Sequence, residues 1–247
     1  MMNRLWIFGD SYGELNDSFG PNQWQLLLAE QLNCDELHNV TKNGSSCMWL
    51  LLKWHEFIAK FKPSDKIIVL VPFYGRSLIF KDNPQLSAIT TLDMLGKEKR
   101  VDDKWKPYSK SQIDAFKKYF MYLYDPDINL SIAFGLLNTV NNCATMFKTP
   151  PLIINTTEDQ MPVDLLYNCT VASGSTIHIN TNEFETKEIW KDIANCGLFL
   201  DTRVCHMSEP NHIVFTKKMK DYFVDNVIPD LSTEFHKKIL SKKDIER

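Results

Sequence analysis

The chain has 247 residues, 44% of them hydrophobic and 24% charged, with a formal net charge of −3. This is the composition of one globular domain large enough for a full core, and a slight acidic excess gives no electrostatic footprint for nucleic acid. No run approaches the roughly 18 apolar residues of a membrane span, and the six cysteines form no Cys-x-x-Cys pair or zinc-ligand spacing, so reduced, mostly buried thiols are expected and no metal or cofactor.

Met1 to Arg4 runs straight into apolar sequence without a signal-like region, so a cytoplasmic protein is expected. Leu5-Trp6-Ile7-Phe8 then stops abruptly at Gly9-Asp10-Ser11. A short apolar run bounded by turn residues reads as a buried strand. Gly9 lets the backbone turn at its end. Asp10 and Ser11 follow at the carboxyl edge of a sheet, where open α/β folds place their ligands. Ser11 is the candidate nucleophile. The same tripeptide is also an ordinary strand exit, because Asp and Ser both favour turns.

A helix is predicted over 22–32, with Trp24, Leu27, Leu28 and Leu32 as its core stripe. A second strand over 36–41 leads into Lys42-Asn43-Gly44-Ser45-Ser46. In a doubly wound sheet this exit lies beside that of the first strand. Gly44 can bring a backbone N–H close to a ligand, and Ser45 or Ser46 can cap the next helix, 46–61. Lys66 to Phe73 is a near-continuous aliphatic run, the pattern of a central parallel strand buried on both faces. Arg76 in its exit can donate to an oxyanion or an anionic substrate group, or pair with a surface carboxylate.

Residues 80–108 read as an inserted loop or lid of mixed charge carrying Trp105 and Tyr108. Helices are predicted over 109–124 and 127–147, with Asp125-Pro126-Asp127 as break and cap. Leu152–Asn155 is a strand and Ser175 to Asn180 alternates like a half-buried one. Glu183 to Asn195 reads as a short helix. A loop from Asp201 to Asn211 follows, then a helix from His212 to about Val227 and a tail from Leu231 of helical composition. Glu209 precedes His212 by three residues, with Pro210 stiffening the turn between them. An acid and a histidine so placed suit a base and its orienting partner. Asp201 is a second acid and His206 a competing base.

Gly9-Asp10-Ser11 near one end and Glu209-x-x-His212 near the other resemble blocks of the SGNH (GDSL-type) hydrolase superfamily. The resemblance implies a flavodoxin-like, three-layer α/β/α fold with a mainly parallel five-stranded sheet, and a single domain over 1–247. It implies a Ser11–His212–Glu209 triad acting on a small-molecule or carbohydrate ester through an acyl-enzyme. Gly44 matches the second-block glycine, whose N–H would join that of Ser11 in an oxyanion hole. Asp10 belongs to the same substrate-binding edge. Two blocks depart from the pattern: Glu209 stands where the family has Asp, and the third strand's exit has no Gly-x-Asn. Arg76 is there instead. A non-catalytic binding or assembly protein on the same fold is the competing expectation; neither reading calls for nucleic acid or a membrane as partner.

Overall fold

The computed structural model describes residues 2–15, 21–42, 44–76, 98–101, 104–107, 109–156, 165–176, 198–200, 207, 209–235 and 239–241. In chain order these hold β1 (Arg4–Gly9), α1 (Trp24–Gln31), β2 (Glu36–Thr41), α2 (Cys47–Ile58), β3 (Lys66–Val71), β4 (Glu98–Val101), β5 (Lys104–Pro107), α3 (Lys110–Tyr122), α4 (Pro126–Ala144), β6 (Leu152–Asn155), β7 (Thr170–Ser175), β8 (Leu198–Leu200), α5 (Glu209–Asp225) and β9 (Ile239–Ser241). Five strands form one sheet in the order β2-β1-β3-β6-β7, and every neighbouring pair is parallel.

The two-residue period of a strand builds the layers. Leu5 and Ile7 of β1, Ile68 and Leu70 of β3, and Leu152 and Ile154 of β6 pack with Trp24 and Leu28 of α1 and Phe215 and Met219 of α5. The alternate residues Trp6 and Phe8, Ile67, Val69 and Val71, and Ile153 pack with Leu50, Trp54 and Phe57 of α2 and Leu136, Leu137 and Val140 of α4. The sheet is therefore sandwiched between α1 with α5 and α2 with α4. Each fully buried Leu, Ile or Phe contributes about 1.5–3 kcal/mol to this core.

Local chemistry sets the helix starts. Ser46 caps α2, its hydroxyl accepting from the Trp49 N–H at 3.3 Å. Asp125 caps α4 by accepting from the Asp127 N–H at 2.9 Å, with Pro126 opening the helix. Both are the local hydrogen bonds that satisfy orphan N–H groups at a helix start.

Three stretches differ from the sequence reading. The fifth strand is Thr170–Ser175, upstream of the alternating stretch, whose residues 177–180 lie outside the described residues. Its composition hides it. It is an edge strand with a register shift against β6. Beyond it, the Ser173 N–H bonds Pro229 O at 2.9 Å and the Leu231 N–H bonds Ser173 O at 2.8 Å, so returning chain covers the edge. Within the 80–108 insertion, Glu98–Val101 and Lys104–Pro107 pair antiparallel as a ribbon. The tail read as helical contributes Ile239–Ser241 as a strand antiparallel to Leu198–Leu200. Pairing partners distant in sequence decide these segments, and helical composition is a weak prior against them. The helix expected over 183–195 lies outside the described residues.

Candidate active site

The strand order sets β1 beside β3 although β2 comes between them in sequence. The connection after β1 runs to one face of the sheet and that after β2 to the other, which opens a crevice at the carboxyl ends of β1 and β3. Gly9 makes the close approach there. A Cβ at that position would lie 2.6 Å from Leu70 Cβ on β3, so the two strand ends meet only because residue 9 has no side chain.

Ser11 stands at the β1 exit, 2% exposed. Among the described residues its Oγ has no hydrogen-bond partner. A buried hydroxyl without a bond carries a desolvation cost, and here it stands at the position where the fold binds ligands. Asp10 is 1% exposed and bonded within the protein. Its Oδ1 accepts from the Tyr12 N–H at 3.2 Å. Its Oδ2 accepts from Arg76 Nη1 at 2.9 Å; the Thr156 hydroxyl, 3.5 Å from the same oxygen, donates its one proton to Val71 O at 2.6 Å. Arg76 Nη1 also donates to Ser45 O at 3.3 Å, and the Ser45 hydroxyl donates to Gly9 O at 3.0 Å. The exits of β1, β2 and β3 are thus tied together around one ion pair, and that of β6 is held to β3 through Thr156 and Val71. The carboxylate that Arg76 meets is this buried one, not a surface group.

Gly44 lies beside this network with φ of 71°, a left-handed conformation that glycine adopts without strain. The turn holding it is closed by the Ser45 N–H to Lys42 O at 3.0 Å.

His212 arrives from the opposite end of the chain, in the first turn of α5. It is 8% exposed. Trp24 links it to the Ser11 turn: the Trp24 backbone N–H donates to His212 Nδ1 at 3.1 Å, and the Trp24 indole N–H donates to Tyr12 O at 3.1 Å. The backbone N–H of Trp24 is one of the orphan donors at the start of α1, where Gln23 supplies no side-chain cap. The imidazole fills that role. An accepting Nδ1 carries no proton, so the neutral ring holds its proton on Nε2. A base for Ser11 would need the other tautomer, with Nδ1–H facing an acid. Glu209 is the first residue of α5, and its side chain lies outside the described residues, as do Asp201 and His206.

The structure therefore brings Ser11, Asp10, Gly44, Arg76 and His212 to one edge of the sheet, while no hydrogen bond joins Ser11 to His212. Trp24 and Thr156 were not singled out from sequence as site residues. Trp24 looked like core stripe, which it also is. Thr156 had a readable signal, because it follows a parallel strand and such exits converge on one edge. Cys47, close to Arg76 at the start of α2, is no rival nucleophile: burial pushes its thiol up to about 12.

Among the described residues no group of three or more His, Cys, Asp and Glu is gathered that could hold a metal ion. No described helix is long and apolar enough to cross a membrane. No protein-family model matches the chain, and no curated protein does. Among solved structures the chain is similar to a member of the lipolytic protein G-D-S-L family from Veillonella parvula DSM 2008, at 11% identity and a TM-score of 0.39, with 90% of this chain and 98% of that one covered. At so low a similarity the α/β assignment stands on the strand order itself.

Proposed function

We propose that the chain is a serine hydrolase of ester bonds, with Ser11 as nucleophile. One observation carries the reading: a buried, unbonded hydroxyl stands just past the carboxyl end of β1, and a histidine is tied to the same edge through Trp24. Ser11 Oγ attacks the ester carbonyl while a histidine takes its proton. The N–H groups of Ser11 and Gly44 receive the oxyanion. Collapse of the tetrahedral intermediate expels the alcohol, which takes the proton back. Water, deprotonated by the same histidine, then releases the acid from the acyl-serine. Small O-acyl groups, as on carbohydrates, are the substrates this reading puts first.

His212 serves as the base once its ring releases the Trp24 N–H and moves its proton to Nδ1, facing Glu209 or Asp201. His206 is the competing base. A second reading, a binding or assembly protein that keeps the fold without turnover, is favoured by the absence of a base bonded to Ser11 Oγ among the described residues. Hydrolysis of a chromogenic short-chain acyl ester by wild type and Ser11→Ala decides between them. The hydrolase reading expects turnover that the substitution abolishes, and serine labelling by a fluorophosphonate that is lost with it. Equal rates in both proteins, or none in either, would leave only the binding protein.

A further inference from the structure

Arg4 shows what an arginine does in this protein when its recognition edge is filled. Its Nε donates to Asp65 Oδ1 at 2.8 Å and its Nη2 to Asp65 Oδ2 at 2.7 Å, two parallel bonds to two oxygens. That is the fork by which guanidinium matches a carboxylate or phosphate. Arg76 makes both of its hydrogen bonds to described residues, Asp10 Oδ2 and Ser45 O, from Nη1. Its Nε–Nη2 edge has no acceptor among the described residues.

We propose that the Nε–Nη2 edge of Arg76 is a docking site for a two-oxygen anion, a carboxylate or phosphate group of the ligand that enters the crevice between β1 and β3. Four observations carry this. The guanidinium is held at two points, so its remaining donors are aimed before any ligand arrives, and little is lost in ordering them. Its side chain is 19% exposed, against 9% for Arg4, so the edge can be reached. Asp10 does not depend on Arg76 alone, because the Tyr12 N–H also serves that carboxylate. Arg76 is bonded to the residue before Ser11 and to the residue after Gly44, which sets the docked anion beside the Ser11 hydroxyl. On the hydrolase reading, the substrate is an ester with an anionic group close to the scissile bond. That substrate class rests on the hydrolase reading; the anion site does not.

The test is isothermal titration of the full chain with inorganic phosphate and, separately, with succinate, for wild type, Arg76→Lys and Arg76→Met. Lysine keeps a cation against Asp10 but has no fork, so it preserves the fold while removing the proposed contact. Wild type is expected to bind at least one probe saturably, and the probe bound names the anion class. Arg76→Lys is expected to bind at least roughly tenfold more weakly, the worth of one charge-assisted hydrogen bond, and Arg76→Met not at all. No saturable binding of either probe to wild type, or equal affinity in all three proteins, would overturn the site. Parallel turnover of 4-nitrophenyl acetate and of the anionic 4-nitrophenyl hemisuccinate separates the two proposals. Probe binding without turnover of either ester removes the hydrolase and leaves the anion site. Turnover of both esters unaffected by Arg76→Lys, with no probe bound, does the reverse.

Discussion

Two ion pairs pin the same two strands, one at each end, and they are built differently. At the amino end Arg4 of β1 meets Asp65 just before β3. Both carboxylate oxygens are clamped, Arg4 Nη2 also donates to Lys60 O at 3.1 Å, and Asp65 Oδ2 accepts the Lys62 N–H at 2.8 Å. Hydrogen bonding to Asp65, more than its charge, raises the Arg4 pKa above the ordinary value. At the carboxyl end the polarity is reversed: Asp10 follows β1 and Arg76 follows β3, joined by one bond at 2.9 Å. One pair has its Nε–Nη2 edge filled by both carboxylate oxygens. The other leaves donors unspent and an unbonded serine hydroxyl next to it. The difference follows the fold, because helices and connections at the amino end only need to be held, whereas the carboxyl end is where a parallel sheet meets its ligands.

The largest effect expected at the carboxyl end is catalytic. Replacing the histidine base costs turnover by about 10²–10⁴-fold. His206→Ala and His212→Gln separate the two candidates, since the Gln amide oxygen can accept the Trp24 N–H in place of Nδ1. With His212 as the base, His212→Gln is expected to lose the rate and His206→Ala to keep it within tenfold. The opposite pattern in steady-state kinetics would assign the base to His206 and leave His212 its bond to the Trp24 N–H at the start of α1.

The amino end is expected to answer in stability alone. Arg4→Met leaves Asp65 charged in a site where its side chain is 0% exposed, a loss of about 3–5 kcal/mol for a buried pair broken on one side. Arg76→Met leaves Asp10 with its Tyr12 N–H donor, and costs about 1–3 kcal/mol. Urea unfolding of both variants measures the two numbers. Equal losses would break the contrast between a structural pin and one held open for a ligand.

How much of this the sequence carried depends on range. The aliphatic runs of β1, β3 and β6 announced buried parallel strands because burial on both faces leaves no polar positions to disguise them. The Ser46 and Asp125 caps were readable for the same local reason. The Asp10–Arg76 pair was not. Its partners are 66 positions apart, and nothing near either residue names the other. The Trp24–His212 bond spans 188 positions and gives a histidine that matched a catalytic block a structural duty as well. The fifth strand was misplaced because Thr170-Val171-Ala172-Ser173-Gly174-Ser175 owes its strand to β6 on one side and Pro229–Leu231 on the other, not to its own side chains.

The smallest effect concerns the thiol beneath the open pair. Cys47 lies close enough to Arg76 and Asp10 to feel both, yet burial is the dominant influence and raises its pKa from 9.0 to about 12. A folded state that holds this proton more tightly than the unfolded chain gains stability that is fully present below the unfolded thiol pKa. That stability is lost as pH rises from near 9 toward 12, at no more than about 1.4 kcal/mol per pH unit. Urea midpoints measured from pH 8 to 10 are expected to fall less steeply in Cys47→Ala than in wild type. At pH 8.5 iodoacetamide is expected to leave Cys47 unmodified in the folded protein and to label it once urea is added. Labelling in the folded state at the rate of a free thiol would mean that the carboxyl edge opens down to α2, and that the crevice beside Ser11 is deeper than the pair of Asp10 and Arg76 now makes it.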